Sequence, residues 1–381
     1  MANYTIIDNK EDLQALIPKL LAEPVVAFDT EADSFFHYME KLCLIQVGIP
    51  SEPEFAYLID PLSMGGPASL MPLEPVFTSP DVRILFHAGE YDIFLLKRFC
   101  GITVNNLFDT MISAQLLGYP SVGLAALVKH YFDIVLPKDE QRSDWSRRPL
   151  TPQQLEYGAT DVFYLVEMAE NLERELIEAD RLQWAQEDFA TLTLREWPER
   201  SFDELGYLKI KGARALDPTE LAILRELFFL RDGRARELDR PGFKVISPRT
   251  LLDLCTKPPK NLKSLSQMKG IGERTVQHLG DSILTAIDKG QQSPHGPIPR
   301  TKGSGRKRMD RDAEQRFTRL KTWRAGRAKE LELDPGVLCP NSSLEAIAIT
   351  NPKQPEDVQG IEELKGWFAR EFGKELVVAL Q

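Results

Sequence analysis

The sequence predicts an α/β domain followed by two copies of one small all-α domain. Three observations carry this. Apolar runs of strand length alternate with stretches of helical period over roughly the first 190 residues, the pattern then turns helical without obvious strands, and a nine-residue motif occurs twice in the helical half. A length of 381 residues suits two or three domains, and a content of 43% hydrophobic and 27% charged residues excludes a fibre or a low-complexity chain.

Taken in order, the N-terminal MANYTIIDNKED lacks the basic and apolar regions of a signal peptide. A helix is expected over Glu11 to Leu21, strands at Val25 to Phe28, Leu42 to Val47, Phe55 to Ile59 and Val82 to Phe86, and a helix over Tyr91 to Phe99. The uncharged run from Thr110 to Val128 is broken by Gln115 and by Gly118-Tyr119-Pro120, which suits two packed helices better than a membrane span. The weakly periodic Glu199 to Gly212 reads as a connector, with a domain boundary near residue 200. Beyond it, Arg231-Asp-Gly-Arg-Ala-Arg-Glu-Leu-Asp239 returns as Arg324-Ala-Gly-Arg-Ala-Lys-Glu-Leu-Glu332, with six of nine positions identical. The period near 93 is too long for a solenoid and reads as a duplicated domain. Between the copies, Lys289 to Asp310 is rich in Gly, Pro, Ser and Arg, as in a flexible basic linker. The expected layout is an α/β domain at 1–198, helical domains at 213–290 and 313–381, and a linker at 291–312.

The formal charge of −10 argues at first against a polyanionic partner. Its distribution reverses that. Residues 300–329 hold 12 Lys or Arg against 3 Asp or Glu, a local +9, and residues 242–274 hold seven basic residues against Asp253 and Glu273. Solvated helical faces are the bland alternative, but two basic segments in the repeated half favour polyanion binding. Cys43, Cys100, Cys255 and Cys339 are scattered without CxxC spacing, so neither a zinc site nor a disulfide framework is expected, and a cytoplasmic location is.

Three acidic clusters occupy the α/β half. In VVAFDTEA (25–32), alternation along a strand points Asp29 and Glu31 to one face, which is costly unless a cation sits between them or the strand end reaches solvent. In ILFHAGEYDIFLLKRF (84–99), Asp92 falls near a helix start, where capping and the helix dipole also explain an acid and Glu90 would serve equally. In LEYGATDVFYLVEM (155–168), Tyr157 and Asp161 share a helical face, as a core hydroxyl and a surface acid also would.

The order and spacing of all three together resemble the DEDD exonuclease superfamily, with Asp29, Glu31, Asp92 and Asp161 at the four acidic positions. Tyr157 matches its tyrosine branch, because the histidine branch would carry His at the position of Glu156. The strip RSDWSRRPLTPQQLEYGATDV (142–162) is similar to that of the ribonuclease D family, and the two repeats resemble HRDC domains, so the resemblance spans nearly the whole chain. One departure is Ala32-Asp33, where such sequences often have an aromatic and a basic residue.

The resemblance implies an RNase H-like exonuclease domain that hydrolyses phosphodiesters from RNA 3′ ends, with tRNA precursors and other small structured RNAs as substrates. It also implies two divalent ions, for which hard carboxylate ligands favour Mg²⁺ or Mn²⁺. Asp29 is then expected to bridge both ions, Glu31 and Asp161 to complete the nucleophile side, Asp92 to act on the other side or through water, and Tyr157 to orient the attacking water. His87, Lys138, Arg142, Trp145 and Arg148 are expected substrate contacts, with surface charge or packing the alternative for each, and Lys269-Gly-Ile-Gly272 resembles a helix-hairpin-helix turn. A DNA exonuclease and a catalytically silent RNA-binding scaffold are the competing functions. No membrane or protein partner is implied.

Overall fold

The computed structural model describes residues 2–137, 139–197, 202–293 and 309–381. The α/β half runs β1 (Asn3–Ile7), α1 (Lys10–Leu21), β2 (Val25–Ala32), β3 (Leu42–Gly48), β4 (Phe55–Ile59), α2 (Glu74–Thr78), β5 (Arg83–Phe86), α3 (Glu90–Cys100), β6 (Leu107–Asp109), α4 (Thr110–Leu116), α5 (Leu124–Phe132), α6 (Pro152–Phe163), α7 (Leu165–Glu178) and α8 (Leu182–Thr193). Its sheet has the order β1-β4-β3-β2-β5-β6, with β3 antiparallel to both neighbours and every other pair parallel. This is the mixed sheet of an RNase H-like exonuclease domain.

The four expected strands form the centre of the sheet. β3 is buried along its whole length, which explains its nearly continuous apolar sequence. Two edge strands escape the sequence pattern: β1 buries only Ile7, and β6 has three residues. The segment around Tyr157 and Asp161 is two helices, since α6 ends at Phe163 and α7 starts at Leu165. α6 begins at a capping box in which the Thr151 hydroxyl accepts from the Gln154 N–H and the Gln154 side chain accepts from the Thr151 N–H, with Pro152 in the first turn.

The helical half contains α9 (Pro218–Glu237), α10 (Gly242–Val245), α11 (Pro248–Thr256), α12 (Leu262–Ser266), α13 (Glu273–Gln292), α14 (Arg311–Glu330), α15 (Pro335–Leu338), α16 (Asn341–Thr350), α17 (Pro355–Gln359) and α18 (Gly366–Leu380). Each of the last five helices starts 93 residues after its counterpart, as at 218 and 311 or 273 and 366. The repeated motif holds the fold: Arg231 and Arg324 donate to the carbonyls of Ile246 and Cys339, and Arg234 and Arg327 pair with Glu237 and Glu330, each at 2.7 Å. In both copies, then, the motif's first arginine ties the first helix to the residue that follows the second, and a later one pairs within its own helix.

The chain divides into two compact units, one of Met1–Ala32, Leu42–Trp197 and Arg306–Gln381, the other of Asp33–Lys41 and Pro198–Gly305. In the first, the second helical copy is docked on the α/β domain. Trp367 stacks on Trp184 with centroids 4.4 Å apart and planes 10° apart, and its indole N–H donates to Asp188 at 2.9 Å. Lys365 pairs with the same carboxylate at 2.6 Å, Arg370 pairs with Glu187, and Arg181 donates to the Leu331 carbonyl at 2.7 Å. Gly118, at φ 82°, lies so close that a Cβ there would stand 2.0 Å from the Glu332 carbonyl oxygen. In the second unit, the stretch read as a connector is packed: Tyr207 and Leu208 are buried in the core of the first copy. The loop Asp33–Lys41 belongs to that unit too, held by His37 and Tyr38 bonds to Asp239 and Asp232. Among the described residues, no helix is long and apolar enough to cross a membrane. Of the expected linker, residues 294–308 lie outside the described residues.

Candidate active site

β2 runs through the middle of the sheet and carries Asp29 and Glu31, two residues apart, into one group with Asp161 of α6. Carboxylate oxygens of these three residues lie within 4.8 Å of one another. α6 reaches this position because two glycines let it lie close to the sheet. A Cβ on Gly158 would stand 3.3 Å from the Gln46 amide and from Leu44, and one on Gly48 would stand 3.1 Å from the Val162 carbonyl. Asp92, buried in the first turn of α3, is not among the 4.8 Å group, and its carboxylate accepts from the Thr30 hydroxyl.

Burial, reinforced by the neighbouring Asp92 and Asp161, pushes the Asp29 carboxyl well above its usual range; burial and then the Asp29 charge do the same to Glu31. Burial pushes Asp161 up to about 8 and Asp92 up to about 7, the latter against the opposing bond from Thr30. Among the described residues, no Lys or Arg forms an ion pair with Asp29, Glu31 or Asp161. Like charges so placed repel strongly, and an all-oxygen donor set without a basic partner fits a hard divalent cation. Burial, and then the charges of Asp161, Glu31 and Asp29, also raise the Tyr157 hydroxyl, so this tyrosine keeps its proton.

The other residues expected at the site divide. Arg142 is exposed. Lys138 lies outside the described residues. Three expectations are corrected. Trp145 is 1% exposed and packs on Tyr157 with ring centroids 6.0 Å apart, so it offers no open face for stacking a base. Arg148 forms a bidentate pair with the buried Asp60, both bonds 2.6 Å, and donates to the carbonyls of Cys43 and Trp145, which commits its guanidinium to the fold. His87 bonds inward to the Thr110 hydroxyl at 2.9 Å, and burial lowers it to about 4, so it is neutral and brings no charge to a phosphate. Asp33, at the point of departure from the family pattern, is buried and accepts from the Lys41 N–H, closing the loop it begins.

Two residues around the site were not read from the sequence. Asp109 is fully buried, caps α4 by accepting from the Met111 and Ile112 N–H groups at 2.9 Å, and accepts from the Gly89 N–H at 2.7 Å. It thereby fixes the turn that starts α3 and aims Asp92, a turn in which Ala88 takes φ 60°. The buried strand ending Leu-Phe-Asp-Thr before a helix was the available signal. Gln46 sits directly across from Asp29 in the β2–β3 pairing, is fully buried, and has no partner for either amide atom among the described residues. No sequence pattern marks it, because it lies inside an apolar run.

Sheet, carboxylate cluster and helical repeats together define a 3′–5′ exonuclease domain followed by HRDC domains. Comparison agrees. The 3′-5′ exonuclease family of the DNA polymerase A type matches residues 4–177, and the HRDC domain family matches 220–287 and 313–380. The chain is 32% identical to ribonuclease D of Pseudomonas paraeruginosa, covering 94% of this chain and 93% of the relative, and 31% identical to ribonuclease D of a Jannaschia species, covering 80% and 78%. Among solved structures, it resembles Escherichia coli RNase D, described as an exoribonuclease involved in structured RNA processing, with TM-score 0.71 and 26% identity over 100% of this chain and 99% of that one. The catalytic core of RRP6 from Trypanosoma brucei matches with TM-score 0.67 and 26% identity, over 76% of this chain and 80% of that one. The chain belongs to the ribonuclease D family and is a ribonuclease D-like 3′-to-5′ exoribonuclease.

Proposed function

We propose that this enzyme trims the 3′ ends of tRNA precursors and other small structured RNAs in the cytoplasm, using two divalent ions, Mg²⁺ or Mn²⁺, held by Asp29, Glu31, Asp92 and Asp161. The observation that carries the reading is the group of three carboxylates within 4.8 Å with which no basic residue forms an ion pair among the described residues. Bound divalent ions supply a nucleophilic water at neutral pH and relief of charge on the phosphate oxygens. In this reading Asp29 would hold the ions together with Glu31 and Asp161, which would face the attacking water, and with Asp92, which would face the leaving oxygen and whose carboxylate is oriented by Thr30. Tyr157 orients the water through a hydroxyl that keeps its proton, so it is not the base. Arg142 is an exposed candidate for phosphate contact. The corresponding domains are an exonuclease domain at 1–198, HRDC-like domains at 213–290 and 313–381, and a basic linker at 291–312.

The test is a comparison of a tRNA precursor with an extended 3′ end, a single-stranded RNA and the matching DNA strand, each with Mg²⁺, Mn²⁺ or EDTA. Shortening of the precursor with either ion, none in EDTA and slower attack on DNA is expected. Equal rates on RNA and DNA, or an unshortened precursor, would overturn the substrate assignment.

A further inference from the structure

The two helical copies superpose in register, so a residue of one can be set against the residue 93 positions later in the other, and the comparison shows two surfaces that have diverged in chemistry. From α10 to the first turn of α13, residues 242–274 hold seven basic and two acidic residues, a net +5. The equivalent residues 335–367 hold Lys353 and Lys365 against Glu345, Glu356, Asp357, Glu362 and Glu363, a net −3. Position by position, Arg249 faces Ser342, Lys257 faces Thr350, Lys263 faces Glu356, Lys269 faces Glu362 and Arg274 faces Trp367. A fold-keeping role does not explain most of the basic residues, because the second copy builds the same five helices while keeping only one of them, with Lys353 at the place of Lys260.

Their surroundings agree. Arg249, Lys257, Lys260, Lys263, Lys269 and Arg274 are all exposed, and none has a carboxylate partner among the described residues. They form two groups. Arg249, Lys269 and Arg274 gather at the N-terminal ends of α11 and α13, where Gly270 lies against Thr250, with a Cβ there only 2.3 Å from its hydroxyl. Lys257, Lys260 and Lys263 surround the turn from α11 to α12. The nine residues of α11, at 1.5 Å each, separate the groups by roughly 13 Å. Three arginines of the second copy are spent on its own fold: Arg316 donates to the Ala348 carbonyl, Arg319 to those of Leu380 and Gln381, and Arg324 to that of Cys339. That copy docks through Lys365, Trp367 and Arg370 on Asp188, Trp184 and Glu187, and the first copy has Gly272, Arg274 and Gln277 at those places.

We propose that the duplicated domains have divided their labour: the first binds RNA backbone phosphates through Arg249, Lys257, Lys260, Lys263, Lys269 and Arg274, and the second, which lacks most of these cations, docks on the exonuclease domain through the start of α18. This deepens the exoribonuclease reading by naming where the RNA body is held. Exposed lysines and arginines without carboxylate partners are free to replace the counterions of a nucleic-acid backbone, and each phosphate so engaged adds to the salt dependence of binding.

The test uses the full chain in EDTA, so that binding is read without hydrolysis, and measures affinity for a fluorescent structured RNA at several salt concentrations. The variant Lys257→Glu, Lys263→Glu, Lys269→Glu is compared with a control triple in the second copy, Lys321→Glu, Lys329→Glu, Lys353→Glu. Thermal unfolding of each confirms that it is folded. The first triple is expected to weaken binding at least about tenfold and to lower the salt slope by about two, at roughly 0.7 for each phosphate lost. The control is expected to remain within about twofold of the parent. Equal losses in both triples, or no loss in the first, would overturn the division. So would unchanged RNA affinity with lost adhesion to vesicles containing phosphatidylserine, which would assign the surface to a membrane. An enzyme that binds in this pattern yet hydrolyses no RNA with Mg²⁺ or Mn²⁺ leaves the division standing and removes the catalytic reading.

Discussion

Arg148 shows how one residue type serves either substrate or fold according to its neighbours. Burial by itself would raise the Asp60 carboxyl, but the bonds from Arg148 and Ser63 outweigh it and hold the group below its ordinary value. The contribution of this pair is therefore fully present above the ordinary carboxylate pKa and is lost as pH falls through the lower folded value. Arg148→Ala leaves Asp60 buried without its cation and is expected to cost about 3 kcal/mol near neutral pH. In that variant the Ser63 bonds oppose burial without the guanidinium, so Asp60 protonates more readily in the folded protein and the deficit shrinks towards pH 4. Thermal unfolding of both proteins from pH 8 to pH 4 checks this, and a deficit independent of pH would contradict it. At this scale the sequence told the carboxylates apart from their surroundings because their spacing is a pattern. Partners distant in the chain leave no such trace: Arg148 meets Asp60, and Asp109 meets Gly89, only once the sheet has formed.

Among the elements, periodic and well-buried segments were legible, and short or partly exposed ones were not. β2 runs past the apolar stretch that ends at Phe28, because Asp29, Thr30 and Glu31 continue the strand as polar residues, as the alternation read over residues 25–32 expected. β1 and β6 stayed hidden because one edge strand buries a single residue and the other has three. The docking of α18 on α8 was also invisible, since no sequence pattern links Trp184 to Trp367 far along the chain. Trp367 is fully buried, and Trp367→Ala removes both the stack and the bond to Asp188, with an expected cost of about 3–5 kcal/mol. Limited proteolysis should then release a fragment containing the second copy, while the parent resists. A variant as resistant as the parent would show that the stack does not hold the copy in place.

For the whole molecule, the sequence made the duplication and the charge imbalance plain, but not how the charges are used. In the run of +9 over residues 300–329, the arginines at 316, 319, 324 and 327 bond carbonyls and acids of their own domain, Arg311, Lys321 and Lys329 are exposed, and residues 300–308 lie outside the described residues. Arg249, Lys257, Lys260, Lys263, Lys269 and Arg274 of the first copy are exposed and have no carboxylate partner among the described residues. The net charge of −10 is thus compatible with a nucleic-acid enzyme, because the carboxylates of the catalytic face and the cations of the first copy lie in different parts of the chain. The most direct test of the central claim is hydrolysis of a single-stranded RNA labelled separately at its 3′ and 5′ ends, with Mg²⁺ or Mn²⁺, by the parent enzyme and by Asp161→Asn. Early release of the 3′ label as mononucleotide, a 5′-labelled ladder that shortens with time, and a loss of at least about 100-fold in the variant are predicted, even outer partners of metal ligands being worth 10–100-fold. Release from the 5′ end, or equal rates for the two proteins, would contradict the account.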